Sequence, residues 1–194
     1  IFERKCGSMA VNDTVCRIEI KERDTSSNAL KKFYKNLDKH NVTVGIHKEE
    51  GAKQVGNNGF TLIQNACIQE FGSTQTVQKT RRFKSPLTGK WFTIKKGTEL
   101  NIPPRVFVRI FNDKKEKQDL TEAFKNQIGI YQKSNDAEAV YDGVGYLAKW
   151  RMRERIDSKK IKPKNAEMTK EYKGSNTPLY MTGELYFGIE SKVH

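Results

Sequence analysis

Apolar residues recur at helical spacing in two long stretches. Over residues 113–131, Leu120, Phe124, Ile128 and Tyr131 are separated by four, four and three positions, which predicts a helix with one apolar face. Ser134-Asn135-Asp136 interrupts the pattern and can cap a second helix over 137–157. Its stripe is Val140, Val144, Leu147 and Trp150, extended by Met152 and Ile156. Two shorter helices are predicted. One covers 29–37, with Leu30, Phe33 and Leu37 on one face and Ser26 or Ser27 as cap. The other covers 60–71, with Leu62, Ile63, Ala66, Cys67 and Glu70 at helical spacing and Gly72 closing the end.

Alternation, the strand period, appears elsewhere. It marks residues 15–20 (VCRIEI), the β-rich run 41–46 (NVTVGI) and the last run, 185–193. After Pro103-Pro104, the run 106–111 alternates Val106, Val108 and Ile110 with Phe107, Arg109 and Phe111, predicting a strand with Arg105 and Arg109 near its ends. Strand-like runs 80–85 and 90–95 flank Pro86-Leu87-Thr88-Gly89, a hairpin with turn residues in place. Residues 51–59, rich in Gly and Asn, read as a loop. So does 165–184, where Lys173-Gly174-Ser175, Pro178 and Thr182-Gly183 set turns that deliver the final strand.

Charge changes this picture. The chain has 194 residues, 36 Lys plus Arg against 23 Asp plus Glu, and a net charge of +13. A chain of this length buries roughly 70% of its unfolded surface, but only 36% of its residues are hydrophobic. Spare polar residues therefore belong on arms, loops or subunit contacts. The excess charge suits an acidic partner such as nucleic acid, and equally serves solubility. The hairpin concentrates it: Lys79, Arg81, Arg82, Lys84, Lys90, Lys95 and Lys96 stand against Glu99 alone, interleaved with Phe83, Trp91 and Phe92. Such a surface can track a phosphate backbone and stack bases, or pack one face on a neighbouring subunit with Phe83, Leu87, Trp91 and Phe92. Arg151, Arg153 and Arg155 make the end of the second long helix cationic, which complements the helix dipole or presents a second basic face.

Candidate chemistry is sparse. No nucleophile stands beside a base, and no spacing of ligands predicts a metal or cofactor site. His47 reads as a residue at a strand end, and the loop 51–59 lacks the Gly-Lys-Ser/Thr ending of a phosphate-binding loop. An enzyme is not expected. Three cysteines without metal spacing (Cys6, Cys16, Cys67) point to a reducing compartment, with Cys67 as a core thiol. No signal peptide or membrane span is read, and residues 1–8, ahead of Met9, are expected to carry no function.

Three blocks together resemble a family of tailed-phage proteins: virion morphogenesis, neck and tail-completion proteins of the minor tail component type. The first block is Val42-Thr43-Val44-Gly45-Ile46, followed by Ala66 and Glu70-Phe71-Gly72. The second is Ile102-Pro103-Pro104-Arg105, continuing to Arg109. The third is Asn165, Thr169, Lys173-Gly174-Ser175, Pro178-Leu179, Thr182-Gly183, Leu185, Ile189 and Val193. The chain departs from the family at Val106, where Pro is usual, and at Met181, where Asp is usual.

The resemblance implies an α+β fold. It would be a small mixed or antiparallel sheet with two main helices packed on one face, spanning 41–194. The sequence itself adds a β-hairpin arm inserted at about 74–101 and an N-terminal extension over residues 1–40, which no part of the family pattern covers. The resemblance further implies a homo-oligomeric ring, most simply a hexamer, at the neck or top of the tail of a virion assembled in the bacterial cytoplasm. Such a ring joins the DNA-filled head to the tail and contacts other neck and tail proteins, with transient, non-specific DNA contacts and no membrane partner. A basic nucleic-acid-binding protein without catalysis is the alternative.

Overall fold

The computed structural model describes residues 28–55, 60–85, 87–158, 161–179 and 183–194. The predicted strand at 15–20 and Thr182 of the predicted turn lie outside them.

Helix α1 (Asn28–Leu37) buries Phe33 and Leu37 completely. Strand β1 (Val42–Gly45) leads into a single helical turn, α2 (Lys48–Gly51). Within the predicted loop 51–59 and just after it, β2 (Gln54–Val55) and β3 (Phe60–Thr61) form a two-rung antiparallel ladder. Thr61 and Gln64 then make a capping box, with Gln64 N–H donating to Thr61 Oγ1 at 3.3 Å and Thr61 N–H to Gln64 Oε1 at 2.9 Å. That box starts α3 (Leu62–Phe71), which ends at Gly72 with φ 80°.

Four strands make the arm: β4 (Ser73–Thr76), β5 (Arg81–Lys84), β6 (Trp91–Ile94) and β7 (Glu99–Ile102). The pair β5–β6 is the predicted hairpin, and β4–β7 continues it toward the body. Asp113 caps α4 (Lys114–Tyr131) by accepting from the Lys115 and Glu116 amides. Asp136 caps α5 (Ala137–Asp157) through the Ala139 amide. Two short helices, α6 (Glu167–Lys173) and α7 (Glu184–Phe187), precede β8 (Glu190–Val193).

The fold is α+β: helices with small antiparallel two-stranded ladders. The ladder nearest the long helices pairs β1 with β8, from Val42 opposite Val193 to Gly45 opposite Glu190. Helix α5 lies against it, and α4 and α1 pack on α5. One apolar cluster joins α1, α4 and the first half of α5 around Phe33, Phe124 and Val140. A second joins α3, the last turns of α5 and α7 around Phe107, Ile156 and Ile189. Helix α5 thus serves both.

Gly145 permits the close approach of helix and ladder. A Cβ there would sit 2.7 Å from Val42 Cγ2 and 3.1 Å from Ser191 Cβ. The substitution Gly145→Ala should therefore cost about 1–3 kcal/mol of stability through overpacking, read as a lower urea midpoint. An unchanged midpoint would mean that the ladder can move off α5 freely.

Several expectations need correction. Residues 106–111 do not form a strand: the chain runs irregularly to a 3₁₀ turn, Arg109–Asn112. Phe107 and Ile110 are both buried at a spacing of three, whereas Val106 is 40% exposed. The apparent alternation masked a turn period. The run 185–193 is likewise divided: Leu185 and Ile189, four apart and both buried, belong to the helix α7 and its exit, and only β8 is extended. The loop 165–184 contains α6, whose Glu167 start, Lys170 and Lys173 end and left-handed Gly174 are ordinary helix-boundary features. Cys67 is exposed, not a core thiol, and Ile63 is 43% exposed. Trp150, at 46% exposed, lies off the buried stripe of α5, which runs through Val140, Val144, Ala148, Met152 and Ile156.

Candidate functional site

The arm stands on a root built from two of the sequence blocks. Glu70, in the last turn of α3, is 3% exposed. Its carboxylate accepts from the amides of Phe107 at 2.8 Å, Val108 at 3.1 Å and Arg109 at 3.2 Å, and from Arg109 Nε at 2.8 Å. Those three amides would otherwise be unpaired in the approach to a helical turn. The Arg109 guanidinium lies over the Phe71 ring, 4.4 Å from its centroid. Gly72 turns the chain outward into β4, and Pro103-Pro104 brings it back from β7. The Arg105 amide then donates to Gln69 O at 2.8 Å, closing the root. Glu70, Phe71 and Gly72 thus meet Pro103, Pro104 and Arg105 across the base of the arm.

The register of β5 and β6 sorts the arm's side chains. Arg81 is opposite Ile94, Arg82 opposite Thr93, Phe83 opposite Phe92 and Lys84 opposite Trp91. Opposed residues share a face, and successive residues alternate between faces. Phe83 and Phe92 therefore share one face with Arg81 and Ile94, while Arg82, Lys84, Trp91 and Thr93 share the other.

The aromatic face is already occupied. Phe83 stacks on Phe92 at 5.9 Å, and Tyr172 of α6 meets them edge-on at 5.5 and 5.9 Å. Ser85, 1% exposed, donates its hydroxyl to Tyr172 O at 2.6 Å and accepts from the Leu87 and Thr88 amides. Lys90 reaches Glu171 at 3.9 Å. Of the four arm residues read as subunit contacts, Phe83 and Phe92 are thus used within the chain. Leu87 and Trp91 are 63% and 58% exposed. Sequence reading missed Ser85 and Tyr172. Ser85 had a signal, a serine ahead of Pro-Leu-Thr-Gly that can hold a turn. Tyr172 had none until α6 was known to be a helix.

On the outward face, the Arg82 guanidinium lies 4.8 Å from the Trp91 ring centroid. Among the described residues Lys84 has no carboxylate partner, nor do Arg81, Lys95 and Lys96 elsewhere on the arm.

The cationic end of α5 differs. Arg151 pairs with Asp119 at 3.2 Å and Glu154 at 3.5 Å. Arg153 donates to Ile189 O at 2.8 Å and pairs with Glu190 at 3.0 Å, and Lys149 pairs with the same Glu190. These side chains fasten α5 to α4 and β8. Arg155 is exposed, and with Arg109, Lys115, Glu116 and Glu154 it borders a cleft of about 590 Å³ carrying charges of both signs.

The third sequence block lies under the arm. Lys173 donates to Thr177 O at 2.9 Å, Gly174 closes α6 at φ 64° and Pro178 is fully buried. Gly183, at φ 83°, starts α7. Burial pulls the Lys173 pKa down to about 8, and the Arg105 charge adds to the effect. Burial also lowers Arg105. His47 bonds to Glu190 O at 3.2 Å.

Among the described residues no group of three His, Cys, Asp or Glu side chains is placed to hold a metal, and no helix is long and apolar enough to cross a membrane. Compared with protein-family models, curated proteins and solved structures, the chain matches none.

Proposed function

We propose that the protein is a non-catalytic structural component of a tailed-phage virion. It would be the subunit of a ring, most simply a hexamer, at the head–tail junction. The ring surrounds the DNA channel and joins the filled head to neighbouring neck or tail proteins. The arm's division of labour carries this reading: one face is anchored on α6 by Phe83, Phe92 and Tyr172, leaving Leu87 and Trp91 exposed at the far end. A rigidly based arm with an apolar tip suits a head-to-tail contact, which closes into a ring when the rotation between subunits permits. The unpaired cations beside the tip suit passing DNA, which needs contacts that are weak and indifferent to sequence.

The double substitution Leu87→Asp with Trp91→Ala tests it. Both positions are exposed, so stability should change by no more than about 0.5 kcal/mol each. The variant should remain a folded monomer that fails to form rings in sedimentation and electron microscopy. Normal rings would rule out the arm as the subunit contact.

The placement of Arg82 over Trp91 with Lys84 beside it favours a second reading, a sequence-independent nucleic-acid binder. Here the double substitution Arg82→Ala with Lys84→Ala should lower the slope of log affinity against log salt for duplex DNA by about 2. An unchanged slope would place the DNA contact elsewhere.

A further inference from the structure

Beside the root of the arm, two cations have no anionic partner among the described residues. Arg105 is 6% exposed, and its guanidinium donates only to neutral oxygens: Pro163 O and Gln69 Oε1 at 3.0 Å and Lys164 O at 3.4 Å. Lys173 makes one hydrogen bond, to Thr177 O. Asn165 donates to Ser175 O at 3.5 Å, so the segment that supplies Arg105 with acceptors runs beside the turn that holds Lys173. Neither cation has an ion pair among the described residues. The carboxylate beside Gln69, Glu70, is engaged by Arg109, and the two on α6, Glu167 and Glu171, by Lys170 and Lys90.

Buried charge is normally paired, because desolvation without a counter-charge is costly. A guanidinium carries five N–H donors and an ammonium three, so both groups retain donor capacity. We propose that Arg105 and Lys173 form a binding site for a single oxyanion, a carboxylate or phosphate group, admitted beside Lys173 where the end of α6 meets the Thr177–Pro178 turn. The lowered pKa of Lys173, caused by burial and by Arg105, agrees with a site whose counter-charge is missing. Arg105 lies too deep for a nucleic-acid backbone to reach, which favours an isolated group. That group is either a free small anion or an acidic side chain of another copy of the chain. The site does not depend on the ring reading.

Competitive labelling of the full chain tests this. An amine-acylating reagent would be applied at pH 8 and each lysine followed by mass spectrometry, with inorganic phosphate, acetate or chloride at equal ionic strength. Phosphate or acetate should slow acylation of Lys173 severalfold and saturably, while the exposed Lys125 on α4 changes no more than in chloride. Protection of Lys173 that grows with protein concentration in chloride alone would also support the site and would identify the acid as another copy's. Lys173 labelling that follows Lys125 under every condition would overturn the proposal. As a second readout, Lys173→Met should lose the part of the phosphate-induced rise in Tm that Lys125→Met keeps. Equal rises in both variants would be a general salt effect and would overturn it as well.

Discussion

Replacing Glu70 with alanine should remove about 3–5 kcal/mol of stability, the cost of breaking a buried, hydrogen-bonded charge. For a protein whose total stability falls in the usual range of about 5–15 kcal/mol, that is enough to leave much of the population unfolded at moderate temperature. The reason is the number of groups that depend on one carboxylate. The Phe107, Val108 and Arg109 amides and Arg109 Nε all donate to it. Alanine leaves the three amides without acceptors where Phe107 is fully buried, and unmade bonds of this kind cost more than made ones contribute. Glu70→Gln should recover only part of the loss, because its amide nitrogen is a donor facing donors. Arg109→Ala should cost less than either, since its side chain is about a third exposed and the backbone bonds to Glu70 survive. Urea unfolding of the three variants gives the order. A loss below about 1 kcal/mol for Glu70→Ala would show that packing of Phe107 and Ile110 alone holds the turn.

The same carboxylate explains much of what was and was not legible in the sequence. Long-range periodicity was informative: α4 and α5 fall where the spacings of Leu120, Phe124, Val140 and Val144 put them, with Asp113 and Asp136 as caps. The hairpin was legible from its turn residues and alternating runs. Short apolar runs were not. Val106 to Phe111 reads as a strand on alternation alone, and only the Glu70 side chain, far away in sequence, takes up the amides that a strand would need. Leu185 and Ile189 fit either period, and the contact of α7 with α3 decides for the helix.

The arm shows the same limit. Its composition suggested a contact surface, but Phe83 and Phe92 pack against Tyr172, supplied by a helix that the glycines and proline of 165–184 concealed. The basic end of α5 looked like a free surface because its partners, Asp119 and Glu190, lie on other elements.

The second large effect belongs to Gly72. Gly72→Ala should cost about 2–6 kcal/mol, from two separable causes. The residue has φ 80° and ψ 169°, an extended positive-φ conformation essentially confined to glycine, which costs an L-residue about 1–3 kcal/mol. A Cβ would also lie 2.9 Å from Ile102 O and 3.0 Å from Pro104 N and Cδ. Backbone and a proline ring cannot swing aside as a flexible side chain can, so overpacking adds about 1–3 kcal/mol. Gly97, elsewhere on the arm, separates the two. It has φ 83° but nothing within 4 Å of its would-be Cβ, so Gly97→Ala should cost the conformational part alone. The difference between the variants, measured by urea unfolding, reports how tightly α3 is held against the returning Pro103-Pro104 segment. Ser73, next to Gly72, pairs with Ile102 in the first rung of the arm. Relief of the clash would therefore tilt β4 and β7 and carry Leu87 and Trp91 with them. If the arm makes the proposed ring contact, Gly72→Ala should impair assembly as well as stability, and Gly97→Ala only stability. Equal losses in the two variants, with equal assembly, would mean that the root does not set the direction of the arm.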